Sequence, residues 1–413
     1  MFLAPKKVIK ALEAIRRDFI WGRKAGKHKI RWIAWSQMTR DRALGGMGLG
    51  NLRNTNLAFM TKWWWKYKAK PKELWTRVIK AIHDNNRSYK LIPSNKKVAG
   101  VWKDITKAGK ELESMGVSIT DELTVEVGNG KAIKFWLDRW SGDRSLKDAY
   151  PGIFKIAENK HAMVADYVTV LQNENQWFIT CTRPPNTDEE WSQWANLLQQ
   201  INGTRVSGKE DRWGWKSDSK GIFSVAAVRN QLNKAEVNQE VEEWKLWNKW
   251  VPPKANYFSW RAALEKISVK RELVRRGMNI SNVLCPRCGV SEETVDHLIC
   301  ECRVSQRIWV EVSKWLKVPS ISGRRNCKEL MEHCYTLKGS GDWRKIINVV
   351  IQAALWNIWK SRNDKEFEGH LRNEKEILDN IMEDSFIWVK TRSKIQGIVW
   401  ERWLDFNIRD VVS

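Results

Sequence analysis

The stretch CPRCGVSEETVDHLICEC at 285–302 constrains the fold of this chain more than any other. Cys285 and Cys288 flank a Pro-Arg turn, close enough to hold two corners of a tetrahedral metal site. His297 and Cys302 complete the series C-x2-C-x8-H-x4-C. Sulfur and imidazole ligands on a tight turn, with a second element folded back over it, are the donor set of zinc. Cys300 competes for the fourth corner: two Cys two positions apart on a helix point in different directions, so only one of them is expected to ligate. A closed set of four ligands leaves no position for water, so the expected cofactor is one structural Zn2+. Tetrahedral coordination should draw the ligating atoms to roughly 3.5–4 Å of one another.

Six of the seven Cys lie between 285 and 334. An odd count clustered in one part of a long chain argues for a reducing compartment and against a secreted disulfide framework. The opening MFLAPKKVIKALEAIRRDF has too short an apolar run for a secretion signal, and no run approaches the ~18 apolar residues of a membrane span. The expected location is therefore nucleus or cytoplasm, not secreted, with no membrane partner. With 72 basic against 48 acidic residues the net charge is +24, a field that attracts nucleic acid or another polyanion. The 27 Trp suit either a tryptophan-rich core or a base-stacking surface, and core is the default for most of them.

Along the chain, Val8, Leu12, Ile15 and Phe19 recur at helical spacing within a basic segment. The next stretch, GRKAGKHKIRW, carries Arg23, Lys24, Lys27, Lys29 and Arg31 on a glycine-containing loop, a candidate phosphate contact that would serve equally as solvated surface. GGMGLG at 45–50 lacks the preceding strand of a dinucleotide fingerprint, and is expected to turn the chain into the helix of NLRNTNLAFMTKWWWKY. From 121 the period changes. Leu123, Val125 and Val127 alternate before Gly128-Asn129-Gly130, and Ile133 and Phe135 resume the alternation, which predicts a β-hairpin. A second hairpin is expected at DRWGWKSDSKGIFSV, turning at 217–221, with Ser224 capping the next helix. Residues 151–207 read as helix and loop. Pro252-Pro253 opens a further helix, and SVKRELVRRG places Arg271, Arg275 and Arg276 on a short basic helix beside the metal knot. A long apolar helix is predicted over 343–363, with further helices to 403. The fold class is mostly α with small β-hairpins, in four parts: 1–115, 116–236, 237–318 around the knot, and 319–413.

Several of these stretches resemble one family. FIWG at 19–22, GGMGLGNLRNTNLAFMTKWWW at 45–65, VGNGKAIKFWLDRW at 127–140, RWGWKSDSKGIFSV at 212–225, the knot at 285–302 and IWKSRN at 358–363 are similar to the C-terminal part of plant non-LTR retroelement reverse transcriptases of the long-interspersed type. That part includes the reverse-transcriptase zinc-binding domain. The resemblance implies a zinc held by Cys285, Cys288, His297 and Cys302, with Cys300 as the extra Cys. It also implies a helical, thumb-like region in front of the knot and a plant origin. The polymerase palm of that family, with its paired carboxylates, has no counterpart here, since no Asp-Asp pair occurs in the chain.

The expectation is therefore a nucleic-acid-binding protein without polymerase chemistry, gripping RNA or DNA through phosphates. A full-length retroelement protein is a further candidate partner, and no small-molecule substrate is expected. The competing reading is a retroelement-derived interaction or structural module whose positive charge is unused.

Overall fold

The computed structural model describes residues 2–22, 30–84, 90–95, 97–171, 174–218, 220–235, 244 and 246–411. The chain is predominantly helical with small antiparallel strand pairs, and no helix among the described residues is long and apolar enough to cross a membrane. It gathers into two units, Met1–Gly22 with Gly50–Val241 and Arg23–Leu49 with Glu242–Ser413. The stretch 23–49, read from the sequence as part of the front region, thus groups with the unit that carries the metal knot. Each unit has its own core, one running from Leu57 to Leu232 and the other from Leu246 to Ile408.

In the first unit the helix Leu52–Ala69 starts where Asn51 accepts the backbone N–H of Arg53 at 2.8 Å, so the cap satisfies a donor that the first helical turn leaves free. Its Leu57, Met60 and Trp64 are buried. Trp64 lies directly over Gly109 of the helix Val101–Ser114, where a Cβ would come within 2.1 Å of the indole. Of the three consecutive Trp, only Trp64 is buried; Trp63 meets Trp75 edge-on and Trp65 stacks on Phe223. The helix Lys6–Ile20 forms as expected but buries none of its residues, and the predicted face leaves Ile15 65% and Phe19 86% exposed.

Both local hairpins read from the alternation are corrected. Strand β1 (Leu123–Glu126) pairs antiparallel with a strand almost ninety residues on, Arg212–Trp215, in the register Leu123↔Trp215 and Glu126↔Arg212. The Gly128–Gly130 turn is tied instead by Asp211, whose carboxylate accepts the N–H groups of Gly128, Gly130 and Ala132 at 2.8–2.9 Å. Beyond it, Phe135 donates to Ala162 and Val164 to Ile133, so the second alternating run pairs with 162–164 and not back onto β1. Asp138 is buried, pairs with Lys68 and accepts the N–H of Lys134. The local hairpin that exists, β2 (Val168–Leu171) with β3 (Glu174–Trp177), lies in the stretch read as helix and loop. The fourth strand, β4 (Arg212–Trp215), does run into a turn at 215–221, closed by the Trp215 N–H on Gly221, and Ser224 caps the helix Val225–Ala235.

The second unit is built on the helix Gly341–Asn363, which is buried on nearly every side. A helix apolar all round is one that sits in the middle of a core. Against it pack Pro253–Ala263, Cys327–Thr336 and Glu374–Arg392, while Arg303–Leu316 packs on Glu374–Arg392. The glycine-rich turn has a packing role in this unit. Gly45 offers its carbonyl to the buried Trp260 indole at 2.9 Å, and a Cβ on Gly46 would strike the Arg40 carbonyl at 2.0 Å.

Candidate metal centre

Residues 283–293 fold into a narrow loop in which Cys285 and Ser291, and Glu293 and Val283, join by backbone hydrogen bonds of 2.8 Å. Inside it the Gly289 N–H returns to the Cys285 carbonyl at 2.8 Å, and Gly289 adopts φ +68°, a left-handed conformation that favours glycine. This knuckle sets Cys285 and Cys288 side by side. The other two donors come from His297–Glu301, which closes as a wide π turn: the Cys302 N–H bonds the His297 carbonyl, five residues back, at 2.7 Å. In such a turn side chains five apart come onto one side, so His297 and Cys302 face the knuckle together. Thr294 fixes the entry to the turn by accepting the His297 N–H at 3.0 Å.

The ligating atoms of Cys285, Cys288, His297 and Cys302 all lie within 4.8 Å of one another, with Cys288 Sγ 3.3 Å from His297 Nε2. This is a Cys/His cluster capable of coordinating a metal ion. Cys302 also stands at the N-cap position of the helix Arg303–Leu316. Its thiol is lowered to about 5, first by the hydrogen bond from Cys285, then by the N–H groups of Val304 and Ser305 and by the Arg287 guanidinium. Cys285 moves in the opposite direction, because it donates to Cys302 and is buried. Cys300 lies outside the cluster. It is buried in the core near Cys327 and Asp296, and desolvation pushes its thiol up to about 12.

The loop is braced from behind by an ion pair. Glu293 accepts Arg362 Nε at 2.6 Å and Nη2 at 2.7 Å, with both side chains at or below 3% exposure, and its Oε2 also takes the Lys270 N–H at 2.9 Å. One carboxylate thereby joins the metal loop, the helix Lys270–Arg275 and the end of the long helix. Arg362 stands in the IWKSRN stretch, yet neither it nor Glu293 is a candidate from sequence. What was legible was the cluster of charges near an apolar helix end, with nothing to say that one of them points inward.

The basic residues divide by role. Arg23, Lys24, Lys27 and Lys29 lie outside the described residues. Arg31 is exposed. Arg271 and Arg275 are more than half exposed and form surface ion pairs with Glu292 (3.1 Å) and Glu272 (3.0 Å). Arg276 is mostly buried: it donates to the carbonyls of Arg31 (3.1 Å) and Trp32 (3.3 Å), and its guanidinium lies 4.6 Å from the centre of the Trp32 ring. Arg261 stands 5.1 Å from the same ring. Two basic stretches some 240 residues apart are thus joined, with Arg276 as the brace.

This arrangement defines the class of module. Residues 223–309 match the family described as zinc-binding in reverse transcriptase. More widely, the chain is 25% identical over 373 residues to a putative ribonuclease H protein of Arabidopsis thaliana, an alignment that takes in 87% of this chain and 56% of that protein. It is also 28% identical over 145 residues to an uncharacterized mitochondrial protein of the same plant, covering 35% of this chain and 90% of the relative. The chain spans about half the length of the first relative. A module like the zinc-binding domain of retroelement proteins is present, consistent with a retroelement-derived protein family.

Proposed function

We propose that the chain is a nucleic-acid-binding part of a retroelement-type protein, in which one structural zinc on Cys285, Cys288, His297 and Cys302 stiffens a basic surface. The observation that carries the reading is the Arg276 brace, which holds the end of the 23–31 stretch beside the helix bearing Arg271 and Arg275. A rigid, metal-anchored support positions phosphate contacts better than a free loop does. The donor set fits the metal: three sulfurs and an imidazole meet in a partly buried pocket without a carboxylate or an open corner. When bound, zinc would supply cross-linking and no reaction. Arg31, Arg271 and Arg275 would contact phosphates, and so would Arg23, Lys24, Lys27 and Lys29.

Binding should be weakly sequence-dependent and fall steeply with salt, because each phosphate contact releases counterions. With about six contacts on duplex the log–log slope should be roughly −5, and replacing Arg271 or Arg275 with Ala should reduce its magnitude by about 1 each. Filter binding of a mixed RNA and DNA pool between low and physiological salt measures this. Affinity and slope unchanged in the double variant would turn the reading toward a protein-interaction module, which the exposed Val8, Leu12, Ile15 and Phe19 face otherwise favours.

Polymerisation is not part of the proposed function. Given primer, template, nucleotides and magnesium or manganese, the purified chain is expected to extend nothing, since two-metal chemistry needs carboxylates that place ions about 3.5–4 Å apart. Extension that survives removal of contaminating polymerase would sink this part of the reading.

A further inference from the structure

The Gly128-Asn129-Gly130 turn belongs to the first unit and takes no part in the metal centre. With the β2–β3 hairpin and the segment that follows the helix Asp188–Asn202 it bounds a groove of about 1170 Å³. Hydrogen bonds to backbone carbonyls hold the walls together. The Ser207 N–H bonds the Gly128 carbonyl at 2.7 Å, and the side-chain amide of Asn175 in β3 donates to the Thr204 carbonyl. Gly130, at φ +67°, lets the turn close on 164–165, where a Cβ would come within 2.9 Å of the Ala165 nitrogen. The groove is thus preformed, which spares a ligand the cost of ordering it.

Its lining is polar and carries one sign of charge. Lys131 and Arg205 stand in it with Asn129, Asn175, Asn202 and Thr204, and the lining residues include no carboxylate and no aromatic ring. Neither cation has an ion pair or a side-chain hydrogen bond among the described residues. Two cations without counter-ions favour an anion. The volume exceeds the roughly 300–1,000 Å³ of a pocket for one small ligand, and such pockets are mostly apolar, so a chain of linked phosphates fits better than a small molecule. A duplex is a stiff rod that bridges such a groove, whereas a single strand bends into it. The sugar follows from the amides. A phosphodiester only accepts hydrogen bonds and leaves the Asn175 and Asn202 amide oxygens unanswered, while a ribose 2′-hydroxyl both donates and accepts.

We propose that this groove binds the sugar–phosphate backbone of single-stranded RNA, with Lys131 and Arg205 on phosphates and Asn175 and Asn202 on 2′-hydroxyls. With no ring to stack bases, recognition runs along the backbone without sequence choice. It is a second nucleic-acid site, in a different unit from the basic surface proposed above and sharing no residue with it.

Fluorescence anisotropy of the full chain with a labelled mixed-sequence RNA single strand, and with DNA of the same sequence, tests this. Lys131→Ala with Arg205→Ala removes two contacts at about 0.7 each, so the log–log salt slope should fall in magnitude by about 1.4. Between about 50 and 200 mM salt the wild type should therefore lose about sevenfold of its advantage over the variant. Asn202→Ala should weaken RNA binding about 2- to 10-fold, the worth of one hydrogen bond, and leave DNA within about twofold. Lys131 and Arg205 are exposed, so the melting temperature should not change. If the double Ala variant does not fold, Lys131→Gln with Arg205→Gln removes the same charges with less loss of bulk. A salt slope unchanged by loss of both cations would overturn the proposal, and so would equal losses on RNA and DNA in Asn202→Ala. The Arg271→Ala, Arg275→Ala variant separates the two sites. Binding that depends on those arginines alone would overturn the groove and leave the other surface, and binding that depends on Lys131 and Arg205 alone would do the reverse. A wild-type chain that binds neither strand would remove both.

Discussion

Replacing Cys285 with Ser is expected to abolish stoichiometric zinc, reducing close to one equivalent per chain to none, whereas Cys300→Ser is expected to keep it. Structural zinc sites contribute roughly 10–16 kcal/mol of apparent binding free energy at neutral pH, and that energy is folding energy for the segment that holds the ion. The effect should be local. Cys285 sits where the narrow loop closes, so the loss should fall on the knuckle at 285–291, because Glu293 is held by Arg362 and Val295, Leu298 and Ile299 are buried in the core of the second unit. The helix Arg303–Leu316 is anchored separately through Ile308, Trp309, Val312 and Leu316, all fully or almost fully buried in the core of the second unit. Hydrogen exchange should therefore show lost protection in the loop and retained protection along that helix. A Cys285→Ser protein that retains one zinc at wild-type affinity, or a Cys300→Ser protein that loses it, would mean the ligands are wrongly assigned.

The second large effect is expected at Arg362. Truncation to Ala should destabilise the second unit by about 3–5 kcal/mol, because it strands the Glu293 carboxylate in the interior without its partner. The ion pair itself need not be strongly stabilising; the cost lies in leaving one charge buried alone. Glu293→Gln on the Arg362→Ala background removes that charge yet keeps an oxygen for the Lys270 N–H, so the double variant should be more stable than Arg362→Ala alone. Urea unfolding followed by circular dichroism reads both. Additive losses in the double variant would show that Arg362 acts by packing alone, through Trp359 and Phe367, over whose rings its guanidinium lies.

The sequence by itself determined the local grammar of this chain. The Pro252-Pro253 helix start, the caps at Asn51 and Ser224, the long apolar helix ending near 363 and the stop at Gly277 follow from spacing, capping chemistry and glycine's access to positive φ, all of which act within a few residues. The Cys/His cluster was legible for the same reason, since its four residues lie within a stretch of eighteen. Composition could show the +24 charge but not where it would be used.

Tertiary structure decided the partners. Alternation identified 123–127 and 133–135 as extended and half-buried, yet a strand carries no mark of which edge it will join, and β1 took β4 while 133–135 took 162–164. The same holds for charge. Arg271 and Arg276 look alike in sequence, but one meets a surface carboxylate and the other lies on Trp32 and bonds the backbone beside it. Spacing left Cys300 and Cys302 open and the resemblance preferred Cys302; the physical reason lies in the π turn, because a one-residue widening of the helix rotates one thiol toward His297 and the other into the core. Whether a charged or sulfur-bearing side chain faces water, metal or another chain segment depends on packing across long sequence separations, and no local pattern encodes that.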